Sequence, residues 1–427
     1  MSRVRRVIPS VSFNGKNVKE KLTDYLEAIS YTDVACGESD SLRIDLQNID
    51  LNWLKDWYPT KGDKIEASIL FQDWVSEGAN LSINCGEFIL DTIGFKGGPA
   101  GASFEALSIP AEDSFKETGR TKVWENVTVK GIGAEIAKKY SLGFMYDAKE
   151  LKIKKVEQSE QSDSAFLYDT CKKYGLAMKV FRHKIIIFDK GKYENKNPVA
   201  TIKRSDFVDD SWDYKDTLMG TYTGAKASYK KSSNSAEENC FIGFIKEDAK
   251  GSRVLRLNEQ SDDINDAKFK AAAKVNEANE GTTTISGQIW ANPKIVAGAT
   301  VKLEGFGKPD GKYFVDKVVT SIAEEGATQE IQLHRCQKRL VHIPQPVVEH
   351  KPVPPKKKSY SVGDIVNFHG GTHYVSSYPG ATGYSVSAGP AKITIANGSG
   401  GAHPWHLVTT NWGQTHVYGW VDEGTFD

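Results

Sequence analysis

Along residues 5–112 apolar and polar positions mostly take turns, as in SLRIDLQNI (Ser41–Ile49), KIEASILFQ (Lys64–Gln72) and GEFILDTIGF (Gly86–Phe95). A period of two puts successive side chains on opposite faces of a strand, so these segments predict strands with one face in a core and one in water. The glycine-rich FKGGPAGASFE and YPTKGDK punctuate them as turns, and only Asn17–Ser30 and Asp50–Tyr58 offer brief helical spacing. The pattern predicts an antiparallel, barrel-like β domain over residues 1–115.

From 116 to 195 the period changes. Val129, Ile132, Ile136 and Tyr140 fall on one helical face behind Thr128, a suitable N-cap. Ser162 caps a second helix in which Leu167, Cys171 and Tyr174 share a face, and Gly175 stands where a left-handed C-terminal residue belongs. LAMKVFRHKIIIFDK then predicts two strands around a turn at Arg182 and His183. This is a small α+β domain. Alternation returns over 196–341, in ATIKRSD, MGTYTGAKASYKK, FIGFIKED, TTTISGQIW, GATVKLEGF, GKYFVDKVVTSIA and TQEIQLHR, with Lys308–Lys312 as a hairpin turn. One helical stripe interrupts it, Ile264, Ala267, Ala271, Val275 and Ala278, ended by Gly281. A second barrel-like β domain with one helix laid across it is expected, so the fold class is mainly β with an α+β insert.

Segment 342–358 carries five of the fifteen prolines and a lysine run without apolar periodicity, the composition of an extended linker. The remaining residues, 359–427, form a separate module with twelve glycines, one lysine (Lys392), no arginine and five of the nine histidines. Composition supports this division, since 427 residues at roughly 150 per domain suggest about three compact units. Lys+Arg and Asp+Glu balance at 55 each, which removes the global field that would draw nucleic acid. Five scattered cysteines fit neither a disulfide framework nor a metal knuckle and predict reduced thiols. Polar residues follow the basic start at once where a signal peptide needs an apolar run, and no stretch reaches 18 apolar residues, so synthesis in a cytoplasm without a membrane segment is expected.

No zinc-protease, phosphate-loop, nucleophile-elbow or dinucleotide motif occurs, and no cofactor or metal is called for. His334 and Cys336 share a strand face, an arrangement a core strand explains without catalysis. Glu157 and Glu160 are an ordinary solvated pair in a chain with 26% charged residues. In the last module FHGGTH and HPWH have metal-compatible spacing, but the module contains no cysteine. Its aromatics carry more weight: seven tyrosines and tryptophans between Tyr374 and Trp420 exceed what so small a core can bury. Exposed aromatics in a weakly charged setting suit glycans or peptide strands. The candidate ligand-binding residues are Tyr374, Tyr378, Trp405, His406, Trp412 and Trp420, against the alternative that each fills the core.

The motifs YSVGDIVNFHGGTHYVSS, AGPAKITIANGSGGAHPWHLV and VYGWVDEGTF resemble the bacterial SH3-like modules of Gram-positive cell-wall hydrolases, which implies a β-barrel that contacts peptidoglycan or docks on a neighbour. Over about residues 5–340, VEQSEQSDSAFLYDTCKKYGLAMKVFRHKIIIFD and GKYFVDKVVTSIAEEGATQEIQLHR resemble the phage late-control protein D and tail-hub family. Thr320 stands where many members have histidine. This second resemblance implies a non-enzymatic homotrimer in a virion or contractile tail-like particle. Its partners would be tail tube and baseplate proteins and a spike or tape-measure protein. The alternative is a tail-associated peptidoglycan hydrolase with a wall-binding module.

Overall fold

The structure, a computed structural model, describes residues 5–14, 16–17, 24–74, 77–108, 113–229, 238–242, 253–257, 261, 263–341 and 359–427. It is mainly β, with 49% strand and 15% helix. Two compact units divide it, Met1–Gln345 and Pro346–Asp427. The proposed linker, 342–358, lies outside the described residues. Among those residues no helix is long and apolar enough to cross a membrane.

In the first unit one thirteen-stranded sheet runs through both alternating regions. Its N-terminal part has the order Leu26–Val34, Ser41–Gln47, Ala100–Leu107, Leu81–Gly97, Lys64–Gln72, Arg6–Phe13, antiparallel throughout. The C-terminal part has the order Asp213–Asp216, Thr283–Trp290, Gly326–Arg335, Gly311–Ala323, continued by Thr300–Glu304 and Ala200–Lys203. The period-two reading holds at the level of single residues: Ile65, Ala67, Ile69 and Phe71 are buried while Lys64, Glu66 and Leu70 are exposed.

No ladder closes into a barrel among the described residues. The physical reason lies in Leu26–Val34, which pairs with Ser41–Gln47 on one edge and with Gly311–Ala323 on the other, leaving no edge for Arg6–Phe13 to close on. That second ladder, with Thr320 opposite Tyr31, joins the two β regions. Each region keeps its own core, one around Ile44, Phe71, Phe88 and Phe104 and one around Ile285, Val301, Tyr313 and Leu333. Ala291, Ile322 and Ala327 cross over to pack in the first. The helical spacing at Asn17–Ser30 is overridden, since Leu26–Ser30 belong to the joining strand and 18–23 lie outside the described residues. Asp50–Tyr58 contributes one 3₁₀ turn, Asn52–Leu54, which buries Trp53.

Residues between the two β regions form helices Val129–Lys139, Asp163–Lys173 and the short Lys190–Glu194, together with small sheets. Thr128 and Ser162 accept hydrogen bonds from the N–H groups of Gly131 and Ala165, as N-caps do. Gly175 adopts φ +73°, and Arg182 and His183 both take positive φ in the tight hairpin between Leu176–Phe181 and Lys184–Asp189. Helix Ile264–Glu280 departs from expectation. Ala267, Ala271 and Val275 are buried, but against Ala225 and Ala227 of a separate three-stranded sheet (Gly224–Tyr229, Glu238–Ile242, Val254–Leu257) rather than across the second β core. Ile264 is exposed, and Gly281 ends the helix at φ −79°, without a left-handed residue.

The second unit is a six-stranded antiparallel sheet in the order Ile365–Phe368, Gly389–Ile395, Trp405–Thr409, Tyr418–Val421, Gly371–Tyr374, Gly383–Val386. Val366, Phe368, Ile393, Leu407, Val421 and Phe426 form its core.

Candidate functional site

The pleat of the second unit decides which of its aromatics meet. In Trp405–Thr409 and Tyr418–Val421 the odd-numbered residues Leu407, Thr409, Gly419 and Val421 are buried, so His406, Val408, Tyr418 and Trp420 take the other face. Register then lines them up in two rows: Ile395 opposite His406 and His406 opposite Trp420, with Lys392 opposite Val408 and Val408 opposite Tyr418 beside them. The His406 ring lies 5.2 Å from that of Trp420 and 5.7 Å from that of Tyr418, edge to face in both cases. His373 extends the patch: its Nδ1 accepts the Tyr418 backbone N–H at 3.1 Å, and its ring meets Tyr384 at 6.2 Å.

Both imidazoles are held neutral. Burial lowers the pKa of His373, and burial followed by repulsion from His373 lowers that of His406. The His406 Nδ1 lies 2.6 Å from the Thr394 hydroxyl, which fixes the ring. The result is an aromatic surface with hydrogen-bonding rings and one cation, Lys392, suited to stacking and neutral hydrogen bonds.

Of the six residues singled out from sequence, His406 and Trp420 meet in this patch. Tyr374 pairs with Trp420 in the ladder, but its ring stacks on His403 at 3.5 Å, and His403 is hydrogen-bonded to Asp422. Trp405 turns toward the core edge, against Tyr360 and Phe426. Trp412 is 59% exposed on a loop and tilts over His416, and Tyr378 is 57% exposed on another, its hydroxyl 3.5 Å from Ser399. Tyr418, His373 and Ile395, outside those six, complete the patch. Strand parity carried the signal for Tyr418, two positions from Trp420, whereas the fold alone brings His373 alongside.

The His334–Cys336 pair does not form a nucleophile and base. Both His334 nitrogens are taken, Nδ1 by Asp316 at 2.7 Å and Nε2 by Glu194 at 3.2 Å. Burial lowers its basicity, but these hydrogen bonds outweigh that and lift it to about 9, leaving an imidazolium that cannot accept a proton at neutral pH. Burial pushes the Cys336 thiol up to about 12. The same network continues through Arg339, which bonds Glu194 at 2.5 Å and Glu280 at 2.8 Å, to Lys190 on Glu280 at 2.7 Å. Its geometry is that of a strut. Among the described residues no group of three or more His, Cys, Asp or Glu could hold a metal ion.

No family model matches the chain. A "Probable baseplate hub protein" of Escherichia phage 186 is 23% identical over 225 residues, 51% of this chain and 55% of that protein, so the chain matches about half the length of that relative. The crystal structure of the tail protein from Neisseria meningitidis MC58 superposes with a TM-score of 0.57 at 12% identity, over 77% of this chain and 96% of that one. The 43 kDa tail protein of prophage MuSo2 from Shewanella oneidensis does so with a TM-score of 0.57 at 10% identity, over 78% and 99%. The chain therefore has the fold of these tail proteins.

Proposed function

We propose that this chain is a structural baseplate hub protein of a phage tail or a contractile, tail-like particle. In this reading it is a homotrimeric adaptor between tail tube and spike, and residues 359–427 contact the bacterial wall. The observation that carries the proposal is the sheet joined through Leu26–Val34 and Gly311–Ala323, in a fold shared with tail proteins. A chain that rigidly couples two comparable β regions offers two similar faces, so three chains around one axis present six. Such a ring can match a tube of higher symmetry to a threefold spike. Light scattering on the full chain is expected to report three copies, and a stable monomer at high micromolar concentration would sink the adaptor reading.

The wall contact rests on the outer patch of His406, Tyr418 and Trp420. With Lys392 the module's one lysine and no arginine present, binding to sacculi should change little between low and physiological salt. A hydrolase finds no support in His334 and Cys336, whose protonation states oppose nucleophilic attack.

A further inference from the structure

A second site lies in the α+β part of the first unit, in a cleft of about 430 Å³. That volume falls in the range of small-ligand sites, roughly 300–1,000 Å³. Four elements build it. Along strand Arg120–Thr128 the pleat sets Arg120, Lys122 and Trp124 on one face, and the register places Gln158 of strand Lys152–Gln161 opposite Lys122. Glu135, Ile136 and Lys139 of helix Val129–Lys139, with Asp163 at the start of the next helix, complete the lining.

Besides Arg120 Nε, two polar atoms of this lining have no hydrogen-bond partner among the described residues, the indole Nε1 of Trp124 and the amide Oε1 of Gln158. The residues that carry them are only 4% and 1% exposed. Neither is loosely held. The Trp124 ring stacks on Phe166 with centroids 6.0 Å apart, and the Lys122 ammonium lies 3.5 Å above it. Gln158 Nε2 donates to the Gln161 carbonyl at 2.9 Å and to Asp163 Oδ1 at 2.8 Å, which fixes the amide and leaves its oxygen as the unused acceptor. Buried donors and acceptors are rarely left unmade, so one of each on a single cleft wall points to a ligand with the complementary pair.

The charges narrow its chemistry. Arg120, Lys122 and Lys139 face two carboxylates: Lys122 pairs with Glu135, while Asp163 receives Lys139 at 2.6 Å and Arg120 at 3.3 Å, together with the Tyr140 hydroxyl at 2.7 Å. Arg120 Nε makes this ionic contact without a hydrogen bond. The lining thus carries three cations against two carboxylates.

We propose that this cleft binds the free C-terminal end of a peptide chain. The terminal carboxylate supplies the balancing charge beside Arg120 and Lys122 and accepts from the Trp124 indole. The amide N–H of the same terminal residue, a few bonds away, donates to Gln158 Oε1. A simple inorganic anion has no such N–H, and a neutral amide leaves the third cation without a counter-charge.

The test uses the full chain with ¹⁵N-labelled tryptophan indoles. It is titrated with N-acetyl-dialanine bearing a free carboxylate, with the same peptide as its C-terminal amide, and with sodium acetate. One indole resonance, identified by its loss in Trp124→Phe, is expected to shift saturably with the acid. The amide should bind roughly tenfold more weakly, about the weight of one charge-assisted contact, and acetate should give no saturable shift at the same concentrations. Lys122→Gln, at a half-exposed position, should weaken the acid severalfold with an unchanged melting temperature, and it carries the test if Trp124→Phe does not fold. Absence of a saturable shift at millimolar peptide, equal binding of acid and amide, equal binding of acetate, or an unaffected Lys122→Gln would each overturn the proposal.

Discussion

His334 is the residue whose role changes most between sequence and structure. Its unfolded pKa near 6.5 rises to about 9 in the fold. Its stabilising contribution is therefore complete below about pH 6.5 and is lost as pH climbs through 9, a loss on the order of 3 kcal/mol. The melting temperature should fall over that window, and His334→Gln should flatten the fall; an unchanged slope in the variant would remove His334 as its source. In the second unit, Tyr418 is 61% exposed and Trp405 packs at the core edge. Tyr418→Ala should cost about 2 kcal/mol of sacculus binding with little change in melting. Trp405→Ala should instead lower the melting temperature, at or below the ~3 kcal/mol typical of truncating a large buried aromatic. Reversed outcomes would mean that the other face of the sheet binds. Composition supplies the aromatic candidates here, and parity and register decide which of them share a face: His406 and Trp420 do so with Tyr418, whereas Trp405 and Trp412 lie elsewhere.

At the scale of elements, local signals worked where the cause is local. Thr128, Ser162 and Gly175 cap and end their helices as their chemistry suggests, because a cap bond spans three residues and needs no distant partner. At Gly175, φ is +73° and an added Cβ would lie 3.1 Å from that of Ala273. Gly175→Ala should therefore cost roughly 1–2 kcal/mol in chemical denaturation. A neutral outcome would show that the backbone there relaxes freely. The alanine stripe of Ile264–Glu280 identified a buried face but not its partner. Small side chains permit close approach to any flat surface, and the one they meet is the strand carrying Ala225 and Ala227.

For the whole molecule the decisive contacts are long-range. Asp33 accepts Lys179 of the α+β part at 2.5 Å and the Ala297 backbone N–H of the second β region at 2.9 Å, tying three regions at one carboxylate. Lys179 also lies 3.0 Å from the fully buried Asp40. Lys179→Met would leave both carboxylates without their cation, at a cost of roughly 3–5 kcal/mol. Adding Asp40→Asn should recover part of that loss in the same denaturation experiment; no recovery would mean that the lysine acts mainly by packing. The second unit has its own core, so residues 359–427 alone should melt cooperatively, and a non-cooperative profile would count against an independent module.

The sequence by itself determined the strand-rich composition, the alternating faces of Lys64–Gln72 and its neighbours, the two capped helices and the change of texture after residue 341, since each follows from spacing or capping within a few residues. Only the tertiary structure decided that Leu26–Ser30 is strand, that it joins the two β regions instead of closing a barrel, that His334 is clamped by Asp316 and Glu194, and that His406, Tyr418 and Trp420 share a face. These depend on partners tens to hundreds of residues away. Strand edges and buried charges are satisfied by whatever the fold brings next to them, and the local pattern does not name that partner.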